Sequence, residues 1–158
     1  MDQEEFARRT LDMEYSLYRV AKTILRDDND CADAVQEALL KGLTAIGKLK
    51  QAEFFKTWIT RILINTCRDM LKKRSRRAWQ PLPESLPAQD TREQREMYEA
   101  LASLPEDMRL PLMLHYLEGL TVKDVSSVLS MPVGTVKRKL VQGKHKLSAL
   151  LYNEMEAM

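Results

Sequence analysis

The chain has 158 residues, 44% of them hydrophobic, with 25 Lys and Arg against 23 Asp and Glu. This size and apolar content suit one ordinary domain or two small ones, and they exclude an intrinsically disordered chain. The near balance of charge hides a segregation, because acidic residues gather between 27 and 37 and basic residues at 72–77 and 137–146. That asymmetry predicts one surface for a basic partner and others for phosphate.

The beginning of the chain, MDQEEF, lacks the pattern of a secretory signal, and no apolar run approaches the roughly 20 residues that a membrane-spanning helix needs. We therefore expect a cytoplasmic protein without membrane insertion. Cys31 and Cys67 form no CxxC pair and have no His nearby. They predict reduced, half-buried thiols, with no metal site and no cofactor.

The first part of the chain predicts a helical bundle. Hydrophobic spacing over Glu4–Asp27 fits one or two helices. An acidic run interrupts that spacing, and Asp30 is the expected N-cap of a further helix that ends near Gly47. No segment alternates with a period of two, so the sequence predicts an all-α fold whose first domain covers residues 1–77.

Residues 54–77, FFKTWITRILINTCRDMLKKRSRR, predict an amphipathic helix. Its apolar positions have the i, i+3, i+4, i+7 spacing of a buried face: Phe55, Trp58, Ile59, Ile62, Leu63, Thr66 and Met70. A second stripe is polar and mostly cationic: Lys56, Arg61, Asn65, Arg68, Asp69 and Lys72. Such a helix can rest on a protein core and face a polyanion, and an ordinary solvated surface explains the stripe equally well.

Residues 78–92 contain three prolines and predict a flexible, extended tether between the first domain and a second one at 93–158. Helical spacing resumes after the tether and continues to Gly119, where the chain is expected to turn. Pro111 lies within this pattern, so we expect the helix there to begin late or to kink.

The last third of the chain predicts a helix-turn-helix unit. Thr121–Asp124 resemble a helix cap, and Ser130–Pro132 form a tight turn before a second helix. Val133, Val136, Leu140 and Leu147 are expected to point inward. The exposed positions are cationic or amide side chains: Lys137, Arg138, Lys139, Gln142, Lys144 and Lys146. Such a helix can enter the major groove of DNA, although a helical hairpin with a solvated face is the alternative.

Together these strings resemble the extracytoplasmic-function class of the sigma-70 family, the subunits that direct bacterial RNA polymerase to promoters. Residues 104–140, LPEDMRLPLMLHYLEGLTVKDVSSVLSMPVGTVKRKL, are similar to region four of that family. Residues 32–37, ADAVQE, and 55–74, FKTWITRILINTCRDMLKKR, resemble its region two. The helix-turn-helix alone also resembles that of many response regulators, whereas both blocks in this order are specific.

The resemblance implies contacts for each block. Asp33, Gln36 and Glu37 match positions that dock on the β′ clamp helices of core polymerase, and the family also contacts the β flap. The positions that match minus-ten contacts are Trp58, Arg61, Asn65, Asp69, Lys72 and Lys73. The positions that match minus-thirty-five contacts are Arg138, Val141 and Gln142 for bases, and Thr135, Lys137 and Lys139 for phosphate. Trp58 fits a core position as well as it fits DNA contact.

The sequence departs from the family pattern in two places. Val141–Gly143 replace a stretch that is more basic in many members, and Gly143 is expected to weaken its helix by about 1 kcal/mol. Leu39 and Leu43 stand where aromatic residues are common, a change expected to concern packing. Promoter preference therefore cannot be copied from relatives.

The resemblance implies a sigma factor that binds core polymerase and opens promoter DNA without catalysing a bond change, under the control of an anti-sigma factor. The alternative is a stand-alone helix-turn-helix regulator, which would need a sensing or dimerising first domain. An enzyme finds little support, because His115 and His145 are isolated and no glycine-rich phosphate loop is present.

Overall fold

The computed structural model describes residues 1–73 and 92–157. The basic residues 74–77 and the predicted tether, apart from Arg92, lie outside this part of the chain. Throughout the described ranges the regular structure is helical, which confirms the predicted all-α class. The chain divides into two compact units, Met1–Leu82 and Pro83–Met158. The predicted domain limits at 77 and 93 stay predictions.

The first unit is a three-helix bundle of α1 (Gln3–Leu25), α2 (Asp28–Thr44) and α3 (Phe55–Lys73), each packed against the other two. Two short 3-10 turns, Ile46–Lys48 and Ala52–Phe54, connect α2 to α3. The core takes apolar side chains from all three helices: Phe6, Leu17, Val20, Ala21, Ile24, Cys31, Ala34, Val35, Ala38, Phe55, Ile59, Leu63, Ile64 and Cys67. The two thiols are thus fully buried, not half-buried as predicted.

The start of α2 corrects a sequence prediction. The N-cap is Asp27, whose carboxylate accepts a hydrogen bond of 3.0 Å from the backbone N–H of Asp30. Asp30 itself lies in the first turn of the helix. The cap falls three residues earlier because Arg26 adopts a positive φ of 65° and turns the chain directly after α1. Asp27 then satisfies one of the free N–H groups at the helix start.

Gly42 allows α2 to approach both neighbouring helices. A Cβ at this position would lie 2.7 Å from Cδ1 of Ile59 on α3 and 3.2 Å from the ring of Phe6 on α1. Both neighbours are core side chains, since Ile59 is fully buried and Phe6 is nearly so. The small residue therefore sets the spacing between the three helices.

The second unit contains α4 (Arg92–Ala102), α5 (Glu106–Leu112), α6 (Val122–Leu129) and α7 (Val133–Ala157). The long helix α7 packs against the other three. The core of the second unit takes side chains from all four helices and from the segments between them: Ala100, Leu101, Leu104, Leu110, Leu112, Met113, Leu114, Leu120, Val125, Val128, Leu129, Val136 and Leu140. None of the helices in residues 1–73 and 92–157 is both long and apolar enough to cross a bilayer.

The chain changes helix type after Pro111. This proline lies inside α5, and residues Met113–Leu117 continue as a π-helical turn whose last hydrogen bond runs 3.1 Å from the N–H of Glu118 to the carbonyl of Met113. Gly119 then adopts a φ of 74°, which ends the helix where the sequence predicted a turn. The side chain of Arg109 is buried and donates to the carbonyls of Ala102 and Leu104, so it holds the end of α4 against α5.

Candidate polymerase and promoter interface

Helix α3 buries a wider and differently placed face than its sequence predicted. Phe55, Ile59, Leu63 and Thr66 are buried as expected, whereas Trp58, Ile62 and Met70 are only half-buried. The buried positions that the prediction missed are Thr60, Ile64 and Cys67. At about 100° per residue, the buried positions cover about half of the helix circumference. The physical reason is that α3 packs against two helices, α1 and α2, and so buries a wider face than the predicted stripe.

The half-buried Trp58 has one side against the core. Its ring centre lies 6.1 Å from that of Phe55, which in turn meets Phe6 edge-to-face at 5.7 Å. The guanidinium of Arg9 lies 5.9 Å from the centre of the Phe55 ring, and it donates to the carbonyl of Ala52 just before α3. The indole is therefore anchored on one side and accessible on the other.

Five of the six predicted minus-ten residues share one sector of α3. Arg61, Asn65, Asp69, Lys72 and Lys73 are all exposed. The helical repeat places the first four of them, together with Trp58, within roughly 100° of the helix circumference. The sector thus combines an indole, an amide, a carboxylate and cations. A surface of this kind offers stacking and hydrogen bonding in addition to attraction for phosphate.

Helix α2 presents the predicted polymerase residues on its outer surface. Asp33, Gln36 and Glu37 are exposed. Glu37 forms an ion pair of 3.3 Å with Lys41, and Lys41 donates at 3.2 Å to the hydroxyl of Thr66 on α3. This chain of contacts links the acidic face of α2 to the helix that carries the minus-ten sector.

The helix-turn-helix forms as its capping residues predict. The hydroxyl of Thr121 accepts a hydrogen bond of 3.0 Å from the N–H of Asp124 and caps α6. Ser130 ends α6 in the left-handed conformation with a φ of 54°. Across the turn, the hydroxyl of Ser126 donates to the carbonyl of Met131, and the backbone carbonyl of Ser126 accepts a hydrogen bond of 3.0 Å from the N–H of Met131. These bonds fix the direction in which α7 begins.

The predicted minus-thirty-five residues lie on different parts of α7. Arg138, Val141 and Gln142 are exposed at positions i, i+3 and i+4, so they form one outward stripe. Lys137 is exposed beside this stripe, and Thr135 is half-buried. Of the four predicted inward positions, Val136 and Leu140 are buried and Leu147 is half-buried. Val133 is 41% exposed because it lies in the first turn of α7, next to the connecting turn.

Lys139 behaves differently from the other cations of α7. Its ammonium group forms an ion pair with Asp107 of α5, and its side chain is only 19% exposed. The Lys139 ammonium holds the pKa of the Asp107 carboxyl below its usual range. The predicted phosphate ligand therefore already has a partner within its own unit.

The matches to family models divide at the same place as the two units. The model described as Sigma-70 region 2 matches residues 14–77, and the model described as Sigma-70, region 4 matches residues 94–147. The two regions occur in the order of the resemblance and cover most of the chain. This chain belongs to the sigma-70 family.

The relatives of this sigma factor carry matching descriptions. It is 27% identical to the RNA polymerase sigma-H factor of Pseudomonas aeruginosa, over 95% of this chain and 88% of that one. It is 28% identical to the ECF RNA polymerase sigma factor SigM of Mycobacterium tuberculosis, over 85% and 71%. It is 26% identical to the ECF RNA polymerase sigma-E factor of Escherichia coli, over 82% and 79%. The sigma factor is thus of the extracytoplasmic-function class and acts in promoter recognition and transcription initiation.

Solved structures share the fold of this sigma factor. The sigma factor RpoE of Bartonella quintana, crystallised with the anti-sigma factor NepR, matches with a TM-score of 0.84 and 20% identity over 94% of this chain and 98% of that one. CnrH, in complex with the cytosolic domain of CnrY, matches with a TM-score of 0.73 and 21% identity over 96% and 90%. Both likenesses extend over nearly the whole chain and support the all-α fold.

Further exposed residues lie beside both predicted sites of the sigma factor, and the sequence assigned none of them to a site: Leu43 was expected to concern packing, and His145 was regarded as isolated. Leu40 is 61% exposed and Leu43 is 37% exposed on α2, next to Gln36. On α7, His145 is exposed and lies seven residues after Arg138, which places it on the same stripe. Helical spacing could have indicated these positions. Leu40 and Leu43 lie four and seven residues after Gln36, and His145 lies seven residues after Arg138.

Proposed function

We propose that this sigma factor divides its work among three helices. Helix α2 docks on core RNA polymerase, α3 holds the separated strand of the minus-ten element, and α7 reads the minus-thirty-five element as duplex. The observation that carries the proposal is the sector of α3 that Trp58, Arg61, Asn65, Asp69 and Lys72 form. In this sector, Asn65 and Asp69 lie between cationic side chains. Cations suffice to hold phosphate, whereas an unpaired base needs hydrogen bonds to its edge.

The proposed polymerase surface is the outer face of α2. Asp33 and Glu37 provide negative charge for a basic partner surface, and Gln36 can donate and accept hydrogen bonds. Leu40 and Leu43 extend this face with exposed apolar area, in a shallow groove that α1 also lines. A surface that combines charged groups with exposed apolar area is suited to protein docking. We infer that the β′ clamp helices of polymerase bind there and that the β flap meets the second unit.

The proposed strand-opening surface is the sector of Trp58, Arg61, Asn65, Asp69 and Lys72, with Lys73 at its end. Trp58 is anchored on Phe55, so its accessible side can stack on a base without losing its place in the fold. Arg61, Lys72 and Lys73 attract the phosphate backbone. Asn65 and Asp69 then supply the base-edge hydrogen bonds.

The proposed duplex reader is the stripe of Arg138, Val141 and Gln142 on α7. Arg pairs bidentately with guanine, Gln pairs with adenine, and the Val side chain can contact a thymine methyl. Lys137 lies beside the stripe, where it reaches phosphate, and half-buried Thr135 lies near the helix start. His145 extends the stripe by two turns and is a further candidate for contact with the duplex.

We further propose that the protein works in the cytoplasm, catalyses no bond change and is held inactive by an anti-sigma factor. Polymerase and promoter DNA are cytoplasmic. The proposed sites contain binding groups, without a nucleophilic side chain activated by a general base. The solved complex of RpoE with NepR supports an anti-sigma partner by analogy. Such a partner would cover the exposed face of α2 and so compete with polymerase.

The test compares Asn65→Ala with Lys56→Ala in reconstituted polymerase. Lys56 is also exposed on α3, but the helical repeat places it on the opposite side of the helix from Asn65, so its predicted place in the same polar stripe was wrong. We expect Asn65→Ala to keep core binding and to reduce permanganate reactivity of the minus-ten region, while Lys56→Ala leaves both unchanged. Unchanged permanganate reactivity in Asn65→Ala would refute the strand-opening role. Run-off transcription from a genomic library with added core polymerase would then identify the promoters.

A further inference from the structure

The cations of α7 fall into two kinds in the folded unit. Lys137 and Arg138 are exposed, whereas Lys139 is paired with Asp107 and mostly covered. The pair joins residues 32 positions apart in the sequence, from the first turn of α5 to the second turn of α7. Lys139 therefore connects the proposed reading helix to the helix on which it rests.

A second contact lies one helical turn further along α7. A Cβ at Gly143 would lie 2.7 Å from Cδ1 of Leu112 and 3.4 Å from Cβ of Met108, both on α5. Gly143 follows Lys139 by four residues, so the two lie on the same side of α7. The glycine that was expected only to weaken the helix is thus a point of close approach.

Two contacts one turn apart constrain how α7 can rotate about its own axis. Lys139 lies about 100° from Arg138 around the helix, at the edge of the buried face. A rotation that broke its contact with Asp107 would also swing the stripe of Arg138 and Gln142. Base readout tolerates deviations of only roughly 10–20° in the direction of the reading side chains.

We propose that Asp107 and Lys139, with the Gly143 contact, orient α7 so that Arg138 and Gln142 meet the base edges, and that Lys139 is a positioning residue and not a phosphate ligand. The proposal rests on the proposed role of α7 as duplex reader. It differs from the role that the family resemblance implies for Lys139. It also gives Asp107, which lies outside the helix-turn-helix, a part in promoter discrimination.

The experiment measures binding of reconstituted holoenzyme to promoter DNA as a function of salt, together with selection of minus-thirty-five sequences from a randomised library. The variants are Lys139→Met, Asp107→Asn and the charge exchange Asp107→Lys with Lys139→Asp. Lys137→Met is the matched control, because it removes the neighbouring exposed cation. Each phosphate contact contributes about 0.9 to the slope of log K against log salt.

We expect Lys137→Met to weaken the salt dependence, reducing the magnitude of the slope by about 0.9, with the selected sequences unchanged. Lys139→Met keeps the slope and broadens the selected sequences. Asp107→Asn frees the Lys139 ammonium to contact phosphate, so the magnitude of the slope increases by up to about 0.9. The range of selected minus-thirty-five sequences also broadens. The charge exchange restores the sequence preference of the parent.

The proposal is overturned if Lys139→Met lowers the slope as much as Lys137→Met does and the charge exchange leaves binding weak. That result would show that Lys139 breaks its ion pair with Asp107 when DNA binds and contacts phosphate instead. Failure of the reader role itself is distinguishable. In that case Arg138→Ala and Gln142→Ala would leave the selected sequences unchanged, and a positioning role for Asp107 and Lys139 in promoter reading would fall with it.

Discussion

In the first unit, the proposed DNA surface touches the core through the half-buried Trp58, whereas in the second unit a cation beside the reading stripe pairs with a neighbouring helix. On α3, the exposed sector of Asn65 and Asp69 faces away from α1 and α2. On α7, Lys139 lies between the reading stripe and the buried face and pairs with α5. A count of charges in the sequence does not show that Lys139 already has a partner within its own unit.

The largest expected effect comes from a core leucine in each unit. Leu63 of α3 and Leu114 in the π-helical turn are both fully buried. Truncation to alanine should cost about 2–5 kcal/mol in the unit that contains it. Calorimetry of each variant should show that the unfolding transition of the substituted unit shifts to a lower temperature. The transition of the other unit should keep its temperature.

The thiols provide an independent measurement for this pair. Cys31 and Cys67 lie in the first unit, and burial raises the pKa of each to about 12, so labelling at pH 8 requires opening of that unit. Leu63→Ala should accelerate labelling by roughly 30-fold or more, the equivalent of about 2 kcal/mol. Equal acceleration by Leu114→Ala would show that the units do not unfold separately.

The next effect concerns the two close-packed glycines. Alanine at Gly42 or Gly143 should gain about 1 kcal/mol in helix propensity but lose about 1–3 kcal/mol through overpacking. Thermal unfolding should therefore show a net loss of up to about 2 kcal/mol in both. Gly143→Ala alone should also relax minus-thirty-five selection, since it displaces α7 from α5. Gly134→Ala is the control on α7, because a Cβ there meets nothing within 4 Å. Destabilisation by this control would argue against the packing explanation.

A smaller effect is expected at the helix caps. Asp27→Ala and Thr121→Ala each remove one hydrogen bond to a free backbone N–H, at a cost of about 1 kcal/mol in chemical unfolding. Asp27→Asn and Thr121→Ser retain an accepting oxygen and should remain close to the parent. Loss of the same stability in these conservative variants would point to a role other than capping.

The smallest effect is the pH dependence of the Asp107 and Lys139 pair. Because the folded-state pKa of Asp107 is lowered, the pair stabilises the unit above the ordinary carboxyl pKa and loses this contribution as pH falls below about 4. Asp107 is half exposed, so the contribution should stay under about 1 kcal/mol. The difference in unfolding free energy between the parent and Asp107→Asn should therefore be present at pH 7 and shrink towards pH 3. A constant difference would assign the effect to hydrogen bonding instead of charge.

The sequence by itself determined the local features of this protein. Helical periodicity predicted an all-α chain, Thr121 and the turn after it predicted the helix-turn-helix, and Gly119 predicted a helix end. Exposure of Asp33, Asn65 and Arg138 also followed from their positions on helices. These features depend on residues within a few positions of one another, so a linear pattern contains them.

The tertiary structure decided the features that depend on which helices meet. Trp58 is half-buried and Ile64 is buried because α3 contacts two helices, a number that its own periodicity does not specify. Gly143 is a packing residue only because α5 passes close to it. Lys139 has a partner 32 residues away, and a charge in a basic run gives no sign of such a partner. Contacts between distant segments thus determined which of these side chains are buried, paired or exposed.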